Sequence, residues 1–266
     1  PLCLVGSEMC IRDRPYFIHP DPSVERRSGF LIPTVGHSDE KGFIYGQPYF
    51  QVIDEARDIK LEPNIYTRKG MILKTHYRHA LERGNIDLKT TTGVIANNLN
   101  ETGFNDVALK GSIDLEAKFA IDDTWRTRFD LEQTSNKNYQ RKFDLVTKEV
   151  LTSRAILEGF RSRNYTSLSL YKFQGLRVTD DRRAQPFVFP TLNYNFTGQP
   201  NTYGIRPEID LEISSITREL GVDSRKLSLK SGLQMPFYSD LGEIYTFHSS
   251  LQTDLFFSNN MNGDLD

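Results

Sequence analysis

The chain has 266 residues and 30.6 kDa, with 33 Lys+Arg against 35 Asp+Glu and a net charge of −2. That is room for one or two domains, without the positive excess that would hold nucleic acid or an acidic membrane surface. Hydrophobic residues make up 38%, with 17 Phe and 12 Tyr, too aromatic for a disordered chain, and no 18 apolar residues run together to form a transmembrane helix. A spanning β-strand needs only about 9 to 11 residues with every second one apolar, and a mean hydropathy of −0.49 suits a barrel as well as a soluble protein.

In chain order, the first stretch stands apart. Both cysteines, Cys3 and Cys10, fall in PLCLVGSEMCIRDR, which shares neither composition nor periodicity with the rest of the chain. Its apolar run Leu2 to Val5 lacks a basic flank and is shorter than the roughly 7 residues a signal peptide's apolar region needs. The stretch resembles the translated adapter peptide found at the ends of reading frames from environmental DNA. Residues 1–14 are therefore expected to be non-native, leaving a native cysteine count of zero. The closing NNMNGDLD reads as a second truncation.

Past Pro15 the sequence alternates with period 2, the mark of a strand with two different faces. The best run places Ile113, Leu115, Ala117, Phe119 and Ile121 on one face, between Asp114, Glu116, Lys118 and Asp122. Similar runs are Ile59 to Glu62, Ile86 to Lys89, Phe129 to Glu132, Ile209 to Ile213 and Leu227 to Lys230. Turn signals such as Arg83-Gly84-Asn85, Asp122-Asp123 and Gly198-Gln199-Pro200-Asn201 separate them. Roughly thirteen strands come after Ser28, each long enough to cross about 25 Å at a barrel's tilt. The expected fold is all-β, an antiparallel up-and-down transmembrane barrel in an incomplete, open portion. A soluble sandwich is the alternative, but its strands usually run about 5 to 6 residues, whereas alternation here lasts from Val107 to Ile121 and from Tyr203 to Ser214. Tight connections alternate with longer ones such as 136–148, as periplasmic turns alternate with external loops.

A search for chemistry is mostly negative. No Gly-x-Ser-x-Gly elbow, phosphate loop or cysteine nucleophile is present, so the sequence points to no catalytic residue, cofactor or metal and to a protein that is not an enzyme. His76 and His79 resemble a zinc pair until strand geometry is applied, since an i, i+3 spacing puts their rings on opposite faces.

The informative stretch runs from Pro15 to Phe50. It holds Pro15-Tyr16-Phe17, then Arg26-Arg27-Ser28-Gly29-Phe30-Leu31-Ile32-Pro33, then Pro48-Tyr49-Phe50. These motifs resemble the LPS-assembly outer-membrane protein family LptD, also known as the organic solvent tolerance family. There a Pro-aromatic segment closes a periplasmic jelly roll, a basic pair with Ser-Gly-Phe-Leu-x-Pro opens the first barrel strand, and Pro-Tyr-aromatic lies in the second. The resemblance continues at Leu61 to Gly70 and, more weakly, at Trp125 to Asp130. It implies that residues 15–27 end the jelly roll and form a hinge, and that 28–266 make about half of a barrel of some 26 strands, within the known range.

The resemblance implies an outer-membrane protein that inserts lipopolysaccharide into the outer leaflet through a lateral gate between its first and last strands. Its partners would be lipopolysaccharide, an LptE-like plug lipoprotein, an LptA-like periplasmic bridge and the barrel-assembly machinery. Proline has no N–H to donate and is excluded from central strands, so Pro33 and Pro48 would each delete a ladder bond at the seam where lipid leaves. Pro63, Pro186, Pro190, Pro207 and Pro236 are read as bulges or strand ends. At the hinge, His19, Arg26 and Arg27 would either meet lipid A phosphates, which Arg suits by bidentate bonding, or form a solvated or salt-bridged linker. Asp87, Asp114, Glu116, Lys118, Asp210 and Glu212 would line the lumen, with their apolar neighbours facing lipid.

Two other functions stay open. A porin would show closure, a constriction loop and no proline pair in adjacent first strands. An outer-membrane hydrolase would show a Ser and a His side by side on the barrel wall.

Overall fold

The computed structural model describes residues 26–259, apart from 97–98, 101–102, 105–106, 138, 144 and 146–147. The opening stretch 1–14, the Pro-aromatic segment and His19 lie outside the described residues.

The alternating sequence builds one antiparallel sheet. In chain order its strands are β1 (Gly29–Phe30), β2 (Thr34–Ser38), β3 (Gly42–Gly46), β4 (Tyr49–Val52), β5 (Arg57–Tyr66), β6 (Gly70–Leu81), β7 (Gly84–Ala96), β8 (Leu99–Asn100), β9 (Gly103–Phe104), β10 (Val107–Ala120) and β11 (Trp125–Thr134). A short helix α1 (Tyr139–Lys142) precedes β12 (Val150–Arg161), β13 (Asn164–Gly175), β14 (Phe187–Thr197), β15 (Arg206–Thr217), β16 (Asp223–Tyr238) and β17 (Ile244–Asn259). The order across the 15-stranded sheet is that of the sequence, while β8 and β9 form a hairpin apart in the connection from β7 to β10. Segments β1 and β2 are two parts of one first strand, and β3 and β4 two parts of a second. The sheet thus has thirteen crossings, the number the turn signals predict.

Residues opposite one another in an antiparallel ladder share a face, so register shows which side chains gather where. Leu157, Leu168, Leu192, Ile213, Leu227 and Leu255 form one apolar row across six strands. On the other face Asp58, Arg78, Asp87, Glu116, Asp130 and Arg154 form a charged row across six. From β5 onward the strands of the 15-stranded sheet run 10 to 16 residues, which exceeds those of a sandwich and suits a membrane barrel. The path starts at β1 and stops at β17 with no pairing between them, so the described sheet is open, as expected for part of a barrel.

The three longest connections share one end. The end where the first strand begins carries 53–56, 82–83, 121–124, 162–163, 198–205 and 239–243. The opposite end carries the long 97–106, 135–149 and 176–186 together with the short 39–41, 67–69 and 218–222.

Three details differ from the sequence reading. Ile121 lies past the end of β10, in a turn where its N–H donates to the Trp125 carbonyl at 2.9 Å. Tyr203 likewise precedes β15. Pro63 is neither at a bulge nor at a strand end: it sits inside β5, whose pairing with β6 runs unshifted from Arg57 to Tyr66. Pro190 does lie at a register shift, against both β13 and β15, and Pro207 is the second residue of β15.

Candidate functional site

The candidate site is the seam between the first two strands. Phe30 faces Tyr49 and Thr34 faces Gly46, so Leu31, Ile32 and Pro33 occupy the space opposite only Gln47 and Pro48. One extra residue is a bulge, which leaves it unpaired and bends the strand. Both prolines fall in this interruption. The second strand keeps an unbroken register with β5, which sets Gln47 opposite Pro63 and Pro48 opposite Glu62. Gln47 N–H donates to the Pro63 carbonyl at 3.2 Å, and Pro63, like Pro48, has no N–H to return. Three prolines on three successive strands therefore thin the ladder along one diagonal.

The seam is closed partly by side chains. Leu31 N–H donates to the Pro48 carbonyl at 2.9 Å, and the Gln47 side-chain amide donates to the Leu31 carbonyl at 2.9 Å. The Ser28 hydroxyl accepts the Val52 N–H at 2.8 Å, and Phe30 packs edge-on against Tyr49 at 5.0 Å between ring centroids.

Of the residues expected at a hinge, Arg26 is held by the sheet. Its guanidinium pairs with Asp58 and lies 5.8 Å from the Phe50 ring centroid. Arg78 takes the other side of Asp58, at 2.9 Å from Nε to Oδ1 and 3.2 Å from Nη2 to Oδ2. This is the salt-bridged arrangement. Arg27 is exposed.

Asp87, Asp114, Glu116, Lys118, Asp210 and Glu212 all fall on the charged face, and Ile113, Leu115, Ala117 and Phe119 on the opposite one. Most of these charges are paired, some across strands and some along one strand. His76 Nε2 lies 2.9 Å from Asp87, Lys118 2.5 Å from Glu116, and Arg128 bridges Glu116 at 3.2 Å and Asp130 at 2.9 Å. Lys226 reaches Glu212 at 3.0 Å, and the Asn195 amide donates to Asp210 at 2.7 Å. Glu132 accepts from Lys148 in the connection beside it, which raises the Lys148 ammonium above its ordinary range. His79 leaves this face and stands edge-on to Tyr77, 6.2 Å away, so the two histidines do separate as strand geometry requires.

The connection 135–149 turns onto the charged face. Tyr139 and Phe143 bury themselves against Tyr66 and Ile72, with Ile44 and Leu145 packed around them. Phe143 meets the Tyr66 ring at 5.1 Å, and burial pushes the Tyr139 hydroxyl above the usual tyrosine range. This small core escaped the sequence reading, because 135–149 has no periodicity and its apolar partners are seventy residues away.

Two family profiles match the chain. One described as LptD protein matches residues 13–179, which contain the seam, and one described as LPS transport system D matches residues 110–264. The chain belongs to the LptD family. Curated proteins similar to the chain include LPS-assembly proteins LptD from several organisms. That of Pseudoalteromonas atlantica is 32% identical over 47% of this chain and 16% of its own length. That of Shewanella oneidensis is 30% identical over 72% of this chain and 25% of its own length, and one from another Shewanella strain is 24% identical over 94% and 33%. This chain thus spans about a third or less of the relatives it matches. Its prolines in both first strands depart from what a porin would show, whereas its inward connection 135–149 is a feature a porin would show. As for a serine hydrolase pair, His37, His76 and His248 each have a carboxylate neighbour, Asp39, Asp87 and Glu208.

Proposed function

We propose that this chain is the first part of the barrel of an outer-membrane protein that carries lipopolysaccharide to the outer leaflet, with the cargo leaving beside the first strand. The observation that carries this reading is the interruption of both first strands at Pro33 and Pro48, in a chain of the LptD family. In lipid every backbone polar group needs a partner within the protein. A ladder with missing bonds therefore holds the first strand loosely and lets it move at least cost, each bond being worth about 1 kcal/mol in water and more in lipid.

Around that seam, residues 15–27 would join the barrel to a periplasmic jelly roll, and Arg26, tied to Asp58, would fix the angle of that joint. The charged face would line a hydrated lumen for the sugar part of the cargo and for an LptE-like plug lipoprotein. An LptA-like bridge would deliver the cargo from the periplasm, and the barrel-assembly machinery would insert the strands.

The test is Pro33→Ala with Pro48→Ala in the full-length protein. Restoring the N–H groups should slow the arrival of lipopolysaccharide at the cell surface and sensitise cells to detergent. If both changes together leave export and detergent resistance intact, these residues do not form a gate. The inward connection 135–149 favours a second reading, a diffusion channel with a constriction. That reading requires ion conductance in planar bilayers that rises when 135–149 is shortened.

A further inference from the structure

The seam is not simply weak at Pro48; it is rebuilt there from a side chain. Leu31 and Pro48 stand opposite each other as a pair that should exchange two backbone bonds. Leu31 gives its N–H to the Pro48 carbonyl at 2.9 Å, and Pro48 has nothing to give back. The Leu31 carbonyl accepts instead from Gln47 Nε2 at 2.9 Å, which also reaches the Pro48 carbonyl at 3.3 Å. Tyr45, two residues earlier on the same face, donates its hydroxyl to Gln47 Oε1 at 3.1 Å.

That face is the apolar one. Tyr45, Gln47 and Tyr49 stand opposite Ile65, Pro63 and Leu61 of β5, while Gly46 lies on the charged face beside Asn64. An amide facing lipid is costly unless its donors and acceptor are used, and here both ends of the Gln47 amide are engaged. A glutamine is tolerated because it does what a backbone N–H cannot do at proline.

We propose that Gln47 is a positioning residue, a side-chain latch that replaces the missing ladder bond and holds the first strand to the second. A backbone bond breaks only when the strand moves, but a side-chain amide can rotate away and return. A proline with a neighbouring glutamine is therefore a releasable link. Its role in export rests on the reading of the first strand as one side of the gate; its role as a bond does not.

The experiment is hydrogen exchange of residues 29–38 in the purified full-length protein, carrying Gln47→Leu with Pro48 present or replaced by Ala. Gln47→Leu alone should speed exchange of the Leu31 amide roughly tenfold. In the Pro48→Ala background, where a backbone N–H can serve the Leu31 carbonyl, the same change should have no effect. Gln47→Asn, shorter by one methylene, covers the case in which Gln47→Leu fails to fold, and it should behave alike. Equal acceleration in both backgrounds, or none in either, overturns the latch. Export and antibiotic entry measured on the same variants separate the two ideas. Background-dependent exchange without a change in either supports the bond and removes the gate.

Discussion

Asp58 shows how one carboxylate can fasten Arg26, ahead of the first strand, to the sheet. Its side chain is 6% exposed, whereas Arg26 and Arg78 on either side are 46% and 50% exposed. Removing one arginine leaves the other to hold the buried charge. Removing Asp58 lets both guanidiniums turn to water, and the loss is limited to the bonds themselves. Asp58→Ala should therefore cost about 1 to 3 kcal/mol, the range for hydrogen bonds to charged groups, and Arg78→Ala less. Urea unfolding of the full-length barrel in lipid vesicles measures both, and a larger cost for Arg78→Ala would contradict this division. A second residue pair makes a packing argument. Gly159 lies directly across from Trp125, and a Cβ there would stand 2.8 Å from the indole ring. The strand needs glycine for its missing side chain, over which the ring lies flat, at the end opposite the three longest connections, where aromatic girdles form. Gly159→Ala should displace the ring at a cost of about 1 to 3 kcal/mol. The emission that Trp125→Phe removes should then shift to the red, and an unchanged spectrum would mean the ring has room to spare.

Strands were legible in the sequence because a period of two needs no knowledge of partners: Ile113 to Phe119 declares its faces alone. What joins distant positions was not. The pairing of Tyr66 with Phe143 depends on the register of every strand between them, and the bond from Gln47 to Leu31 on where a bulge falls. Pro63 was misjudged for the same reason, since only register sets it opposite Gln47. The connection 135–149 is the element most hidden in this way, and its anchoring can be tested. Phe143→Ala removes the ring that meets Tyr66 and Tyr139, a loss of about 3 kcal/mol or more for a buried phenylalanine. Such a loss exceeds what a short helix of one turn can supply by itself. The connection should come away from the wall while the strands stay paired, seen as rapid proteolysis within 135–149 with the rest of the sheet intact. Uniformly faster cleavage throughout would show that the connection supports the sheet as a whole.

At the scale of the molecule, the sheet's two outer strands determine what the chain can do alone. The first strand pairs only with the second, and β17 only with β16, although β17 is long and exposed along its whole length, with Phe247, Leu251, Phe256 and Phe257 open to the surroundings. A row of unpaired N–H and C=O groups is a template for another strand in water and is intolerable in lipid. Thirteen crossings on a chain that spans about a third or less of its relatives leave room for further strands to fill both edges. The edges also differ. The first is short, bulged and interrupted by proline, features that protect a strand edge, whereas β17 pairs in unshifted register over its full length and has no such protection. Expressed alone, residues 15–266 should therefore associate through β17 into dimers or larger species, and should lack the compact, heat-modifiable band of a closed barrel on gels. Cysteine cross-linking at Leu251, which projects from the middle of β17, should capture β17 against β17, and the same pairs should vanish in the full-length protein. A monomeric, heat-modifiable fragment would mean that these thirteen strands close on themselves, and the seam at Pro33 and Pro48 would then face β17 directly.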